Sequence, residues 1–428
     1  MRKVAMFGLG FVGLPLGLSF SMRGCKVTGV DIDTALVNDL NNGITHHLEG
    51  YSGKPIQEIL REQSEAGRFV ATTDAAQAMK ESDSIIITVG IPVEDHSHDM
   101  SALQAVCEEV GKGLKKGDLL LIRGTMIPGS TRDFIKPILE HESGFTAGVD
   151  FYLAYSSERI AEGKAFDEFE NMPAALGGIN EESGKHALEL MSVVTKAPIM
   201  LASCMEVVEA SKVMENVSRD VDIAMVNEFA RFAKAMDLDV FELVKVANTH
   251  KRVKLLSPGP GVGGYCLPNA VFYLLPKAEE IGVSLDLLKL ARKENEEMPR
   301  YVADLILRNL DVAPKDAKIA VFGFAMKDFS NDDRCSPPVA AIRALQASGC
   351  TVCAYDPAVP VDYDFKCDSI EKTLEGAHAL AILTQQRGMN YKNYTLFSTL
   401  MTGRVIFDAR SILDRAEVTA AGFKLETL

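Results

Sequence analysis

The chain has 428 residues, with 45 Lys and Arg against 59 Asp and Glu, a formal charge of -14, 47% apolar and 24% charged residues. This is the make-up of a soluble globular protein too long for one hydrophobic core, so two or three domains are expected. The acidic balance argues against nucleic acid or an anionic membrane as partner, because phosphate neutralisation needs an excess of Lys and Arg.

The first residues run straight into a strand pattern with no signal peptide, and no apolar stretch reaches bilayer length. The expectation is a cytoplasmic protein without membrane insertion. Eight cysteines without paired spacing read as thiols in a reducing compartment.

Val4 to Phe7 reads as a strand, Gly8-Leu9-Gly10-Phe11-Val12-Gly13 as a tight turn, the stretch to Arg23 as a helix, and Val27 to Val30 as a second strand ending in Asp31. This βαβ order gives each fingerprint glycine a task. Gly8 makes the turn, Gly10 admits a pyrophosphate and Gly13 lets the helix pack closely, with the anion on the helix N-terminus. Asp31 is placed to accept hydrogen bonds from ribose hydroxyls and would repel a 2′-phosphate, so NAD is favoured over NADP. Strands over Ser84 to Val89, Leu119 to Ile122 and Phe151 to Ala154 end in turn-forming or polar segments. Ligands of open parallel sheets bind beyond the strand carboxyl ends, which makes Thr125 and Glu158 site candidates.

Met205 to Met236 reads as one long helix whose apolar face carries Val207, Val208, Met214, Val217, Val221, Ala224, Met225 and Phe229. Lys212, Asn216 and Asp220 recur at intervals of four and share another stripe, as a catalytic lysine and an amide facing a substrate would. Downstream, Pro258-Gly259-Pro260-Gly261-Val262-Gly263-Gly264-Tyr265-Cys266 cannot be helix or central strand and reads as a shaped loop presenting a nucleophile.

The C-terminal third echoes the beginning. Lys318 to Ala325 resembles Lys3 to Gly10, Gly349 to Asp356 resembles Gly24 to Asp31, and Ala379 to Leu383 resembles Ser84 to Thr88. Ala325 and Asp328 replace the second and third glycines, so this second Rossmann-like domain should bind something other than a dinucleotide. Cys350 and Cys353 form a CxxC within a strand pattern over Thr351 to Tyr355, which argues against a redox or zinc role.

These motifs, in this order, resemble the UDP-glucose/GDP-mannose dehydrogenase family, whose members use NAD to oxidise C6 of a nucleotide sugar. The resemblance spans the chain through Gly8, Gly10, Gly13, Asp31, Glu158, Glu162, Lys212, Asn216, Cys266, Lys327, Arg334, Ser336 and Pro337. The segments Asn248 to Val253 and Pro258 to Gly264 look most like the branch acting on UDP-N-acetylhexosamines, especially UDP-N-acetylmannosamine.

The resemblance implies two Rossmann-like α/β domains with parallel sheets, joined by a long central helix and a small all-α domain. The expected domains are a NAD-binding domain over 1–200, a helical domain with the cysteine loop and dimer interface over 201–312, and a nucleotide-sugar-binding domain over 313–428. Cys266 would form a thiohemiacetal and then a thioester while Lys212 and Asn216 hold the oxyanion and a water. Glu158 and Thr125 would manage protons and that water.

Cofactor contacts are expected from Gly8, Gly10, Phe11, Val12, Gly13, Asp31, Pro92, Thr125, Glu162 and Arg334. Substrate contacts are expected from Glu158, Arg159, Ile160, Lys212, Asn216, Gly263, Lys327 and Arg252, the last in a neighbouring subunit of a homodimer. No metal is expected. The family context is precursor supply for polysaccharide biosynthesis.

The chain departs from the family beside the nucleophile. Most members carry an aspartate four residues after the cysteine, and Ala270 stands there, so Asn269 or Asp220 would have to cover for it. Ser156-Ser157, Cys335 and Phe329 are smaller departures. The alternatives are a UDP-glucose 6-dehydrogenase, or an atypical member that stops at the aldehyde, isomerises, or only binds the nucleotide sugar.

Overall fold

The computed structural model describes residues 2–94, 96–161 and 163–428. It divides into two compact units, Met1–Glu215 with Phe272–Val283, and Asn216–Val271 with Ser284–Leu428.

In the first unit, β1 (Lys3–Phe7), α1 (Gly13–Met22) and β2 (Lys26–Val30) form the expected βαβ unit. They are followed by β3 (Phe69–Thr72), β4 (Ser84–Ile87), β5 (Leu119–Ile122), β6 (Tyr152–Ser156), β7 (Ala174–Gly178) and β8 (Ile199–Leu201). The sheet order is β8-β7-β6-β5-β4-β1-β2-β3. Its last six strands have the order of a Rossmann sheet. The expectation of a parallel sheet holds for those six, while β7 pairs antiparallel with β6 and extends the edge. The central strands are buried throughout, as strands covered on both faces must be.

A single helix, α2 (Met205–Ala235), spans the expected length, but its faces differ from the reading of the sequence. Val208, Val217 and Ala224 are buried, whereas Val207, Met214, Met225 and Phe229 are exposed. The buried stripe instead includes Glu209, Asn216, Asp220 and Asn227. Glu209, Asp220 and Asn227 are tolerated because partners outside the helix satisfy them, as for Glu209, which accepts from the backbone of Gly129 and Thr131 at 2.6 and 2.9 Å.

The second unit contains α3 (Val240–Ala247), α5 (Asp286–Arg308) and a sheet. Between those two helices the chain forms α4 (Cys266–Glu280), which starts at the expected nucleophile. The strands are β9 (Lys318–Phe322), β10 (Thr351–Tyr355), β11 (Ala379–Ile382), β12 (Val405–Asp408) and β13 (Lys424–Thr427), all parallel, in the order β10-β9-β11-β12-β13. Along β9 the side chains alternate: Ile319 and Val321 join the core containing Met298, Val302 and Ile306 of α5, while Ala320 and Phe322 join the core on the opposite face.

The echo of the first unit is therefore real in β9 and β10. The next helix, α6 (Pro337–Ala347), however, begins only after a long loop over 323–336. Lys327 and Arg334 lie in that loop, where the first unit has a six-residue glycine turn.

The expectation of eight free thiols is corrected. Cys353 is disulfide-bonded to Cys367, with Cα atoms 5.9 Å apart, and six cysteines are free. A bridge between Ala354 and Lys366, with Cys367 N–H donating to Ala354 O at 2.8 Å, carries Cys367 alongside β10. Cys350 is buried and free, so the CxxC spacing is incidental. No described helix is long and apolar enough to cross a membrane.

Candidate active site

The fingerprint turn is built on contacts that leave no choice of residue at two positions. Gly8 adopts φ +87°, and a Cβ on Gly13 would lie 1.8 Å from Gly8 O, so α1 can start this close to β1 only as glycine. Gly10 is different, because nothing lies within 4 Å of the Cβ it lacks. No side chain caps the start of α1 at Val12, and Phe11 is half exposed beside the His47 ring at 5.2 Å.

Asp31 accepts from Leu9 N–H at 2.8 Å through Oδ2 and from Asp33 N–H at 3.1 Å through Oδ1. A carboxylate has about four acceptor positions, so capacity for ribose hydroxyls remains. An open Gly10, a crowded Gly13 and a half-buried Asp31 fit NAD. Pro92 follows Ile91, whose carbonyl accepts from Tyr273 Oη. Glu162 lies outside the described residues.

The carboxyl ends of β5 and β6 are joined by a buried ion pair. Arg123 Nε donates to Glu158 Oε2 at 2.9 Å and Nη1 donates to Ser156 Oγ at 2.9 Å, with the guanidinium 5.4 Å from the Phe169 ring. Glu158 Oε1 accepts from Arg159 and Ile160 N–H at 2.6 and 2.7 Å, so both carboxylate oxygens are engaged. Arg159 in turn pairs with Glu215, with Nε to Oε2 at 3.1 Å. Thr125 is half-buried after Gly124, whose missing Cβ would come within 2.7 Å of Val89 O.

On α2, Lys212 is half-buried and Asn216 is buried. Asp220 is not available to replace an active-site carboxylate, because its Oδ1 accepts from Arg292 Nη1 at 2.8 Å and Asn295 Nδ2 at 2.9 Å. Burial pushes the Asp220 carboxyl up from its ordinary value, and Arg292 offsets part of that rise.

Within the second unit, the loops carrying Gly263, Arg334 and Lys327 pack against one another. Gly264 N–H donates to Arg334 O at 2.9 Å, and a Cβ on Gly263 would meet Pro337 Cδ at 2.6 Å and Cys335 O at 2.9 Å. Cys266 is exposed at the first residue of α4, and Lys327 is exposed. The Arg334 guanidinium donates to Asp332 through Nε and Nη2 at 2.9 and 2.7 Å, and Arg252 lies in an exposed basic run over 251–254.

At the turn after β9, Asp356 Oδ2 accepts from Phe324 and Ala325 N–H at 2.9 and 3.1 Å and from Gln386 Nε2 at 3.1 Å. Asp356 is the counterpart of Asp31, but it is buried and its oxygens are consumed inside the domain. No group of three metal-binding side chains occurs among the described residues.

Family models match three consecutive stretches: the NAD binding domain of the UDP-glucose/GDP-mannose dehydrogenase family at residues 2–194, its central domain at 206–297 and its UDP binding domain at 320–415. The chain belongs to this family. It is a NAD-dependent UDP-sugar dehydrogenase, an oxidoreductase.

Among curated relatives of this dehydrogenase, it is 34% identical over 419 residues to UDP-N-acetyl-D-mannosamine dehydrogenase of Pyrococcus horikoshii, covering 97% of each chain. It is 30% identical to UDP-N-acetyl-D-glucosamine 6-dehydrogenase of Salmonella typhi, covering 84% of this chain and 83% of the relative. The solved UDP-D-ManNAc dehydrogenase of Pyrococcus horikoshii superimposes with a TM-score of 0.90 over 100% of this chain and 99% of that one at 34% identity. A UDP-glucose dehydrogenase from Pyrobaculum islandicum gives 0.83 at 26% identity, covering 97% of this chain and 96% of that one.

Two charged residues of the dehydrogenase escaped the reading of its sequence. Arg123 could have been noticed as a cation directly after the four apolar residues of β5, at a strand's carboxyl end. Arg410 stands two residues beyond the end of β12; it donates to Asp328 Oδ2 through Nε and Nη2 at 3.1 and 2.7 Å, and a Cβ on Gly259 would lie 3.1 Å from its Nη1.

Proposed function

We propose that this chain oxidises C6 of a UDP-N-acetylhexosamine, with UDP-N-acetylmannosamine preferred, to the uronate through a covalent adduct on Cys266. The observation that carries the reading is the exposed Cys266 at the first residue of α4, after a glycine loop shaped by packing, in a chain that matches all three family domains. The acetylmannosamine preference is supported by relatives of that name at up to 34% identity over nearly the whole chain.

An alcohol at C6 must lose two hydrides to become an acid, and an aldehyde has none to give until a nucleophile has added to it. NAD, when bound, accepts a hydride in each oxidation. Cys266 Sγ adds to the aldehyde carbon and gives a thiohemiacetal. Loss of hydride from that adduct leaves a thioester. Water then attacks the carbonyl carbon, the C–S bond breaks, and the carboxylate leaves with the thiol regenerated.

Lys212 and Asn216 stabilise the oxyanion formed in the addition and hydrolysis steps. Glu158 and Thr125 hold the hydrolytic water: three N–H donors engage Glu158, which leaves one of its roughly four acceptor positions for that water. Phe11, Val12, Pro92, Glu162 and Arg334 contact the cofactor, and Arg159, Ile160, Gly263, Lys327 and Arg252 contact the sugar nucleotide.

A three-domain division at 1–200, 201–312 and 313–428 accompanies this reading, as does a cytoplasmic location. So does a homodimer in which Arg252 reaches the partner's site. The exposed apolar side chains of α2, Met214, Met225, Phe229 and Phe232, form the face on which a second copy would pack. A reaction that halts at the aldehyde or thioester is the second reading, and it is favoured by Ala270, a buried methyl where most members place a carboxylate.

Initial rates of NADH formation on UDP-N-acetylmannosamine, UDP-N-acetylglucosamine, UDP-N-acetylgalactosamine and UDP-glucose test the substrate. The highest kcat/KM is expected on the first. A preference for UDP-glucose would overturn the acetylhexosamine assignment.

A further inference from the structure

Four buried polar residues of the second unit form a continuous chain that ends on the backbone of the cysteine loop. Asp220 Oδ1 accepts from Asn295 Nδ2 at 2.9 Å, and Asp220 O accepts from the same nitrogen at 2.8 Å. Asn295 Oδ1 accepts from Asn227 Nδ2 at 3.0 Å. Asn227 Oδ1 accepts from Gly259 N–H at 3.0 Å. Arg292 donates to the Asp220 carboxylate at 2.8 Å and balances its charge. All four side chains are at least 95% buried.

The direction of the chain is set at its charged end. A carboxylate can only accept, so Asn295 must present its amide nitrogen to Asp220 and its oxygen to Asn227. Asn227 is then obliged to turn its own oxygen toward Gly259. A second contact fixes the same loop: Gly261 has φ +134°, and the Cβ it lacks would come within 2.9 Å of Asn295 O. The loop thus rests directly on the main chain of α5. Buried helix faces need no such polar groups for stability, since apolar packing of similar volume serves equally well or better. What apolar packing would not do is satisfy Gly259 N–H, which is buried.

We propose that Asp220, Arg292, Asn295 and Asn227 are positioning residues that hold the Pro258–Tyr265 loop, and through it the Cys266 thiol, in register with the helix that carries Asn216. The catalytic part of this inference rests on Cys266 being the nucleophile.

Two variants test it: Asn227→Ala removes the acceptor, and Gly259→Pro removes the donor without touching a helix. Deuterium exchange over residues 258–265 and single-turnover uronate formation are read for each, together with KM for NAD. Asn227→Ala and Gly259→Pro are expected to speed loop exchange and to slow uronate formation by roughly tenfold or more, as a misplacement near 1 Å does, with KM for NAD within about twofold. If Asn227→Ala does not fold, Gly259→Pro decides.

Loop exchange at the wild-type rate, or faster exchange with unchanged uronate formation, would overturn the proposal and leave the chain a stability feature only. Cys266→Ser separates the two readings. If that variant still forms uronate, the nucleophile assignment falls, and exchange alone then decides whether the polar chain anchors the loop.

Discussion

Arg123 and Glu158 meet at 2.9 Å across the carboxyl ends of β5 and β6, both almost fully buried, although they stand 35 residues apart in the chain. Removing one partner strands the other charge in the interior. Arg123→Met should therefore cost about 3–5 kcal/mol of stability by denaturant titration. The double variant with Glu158→Gln should cost less than the sum of the two single changes. Additive losses would mean that the pair does not act as a unit.

Gly10 and Gly13 separate cofactor contact from packing. Gly13→Ala puts a methyl 1.8 Å from Gly8 O and should destabilise the first unit by several kcal/mol, roughly at the upper end of single substitutions. Gly10→Ala meets nothing within 4 Å, so its melting temperature without ligand should match wild type while NAD affinity falls. Calorimetric titration with NAD checks this, and unaltered affinity in Gly10→Ala would count against a pyrophosphate at this turn.

Glu170 gathers three partners at one end of α1: Arg23 at 2.9 Å, the Tyr51 hydroxyl and Lys196. The hydrogen bond from Lys196, then that from Tyr51, holds its carboxyl below the usual range. A depressed folded-state value adds stability that is present above the ordinary glutamate value of about 4.3 and is lost as pH falls through the lower folded value. Lys196 is largely exposed, so the effect is moderated by solvent. Glu170→Gln should lose about 1 kcal/mol at pH 7, and the difference should shrink toward zero at acid pH. Thermal melts between about pH 3 and pH 7 give the answer; a gap that widens on acidification would show that the pairing has the opposite sign.

Much of the architecture was legible because it is written in local spacing. Gly8, Gly10, Gly13 and Asp31 specify a βαβ unit within about thirty residues, and the structure places them as that pattern requires. The length of α2 was equally clear, but its orientation was not. Periodicity reports that Met214, Met225 and Phe229 share a side without saying whether the protein's own core or another surface covers it. Asp220 and Asn227 are buried because Arg292 and Asn295, some seventy residues later, satisfy them. The Cys353–Cys367 disulfide was hidden for a related reason: a single bridge at Ala354 brings Cys367 to β10, and no spacing rule encodes it.

The exposed apolar side of α2 gives a direct test of self-association. Phe232, 64% exposed, and Phe229, 44% exposed, should tolerate glutamate without loss of the monomer fold. Sedimentation velocity is expected to show a dimer for wild type and a monomer for Phe229→Glu/Phe232→Glu. An unchanged dimer would move the interface elsewhere.

If oxidation runs to the acid through Cys266, each sugar gives up two hydrides and its carbonyl passes through a bond to sulfur. The direct measurement is NADH formed per UDP-N-acetylmannosamine consumed, with the product weighed by mass spectrometry, in wild type and in Cys266→Ser. Two NADH and a uronate are expected for wild type and no uronate for the variant. One NADH with a released aldehyde from wild type, or uronate from Cys266→Ser, would contradict it.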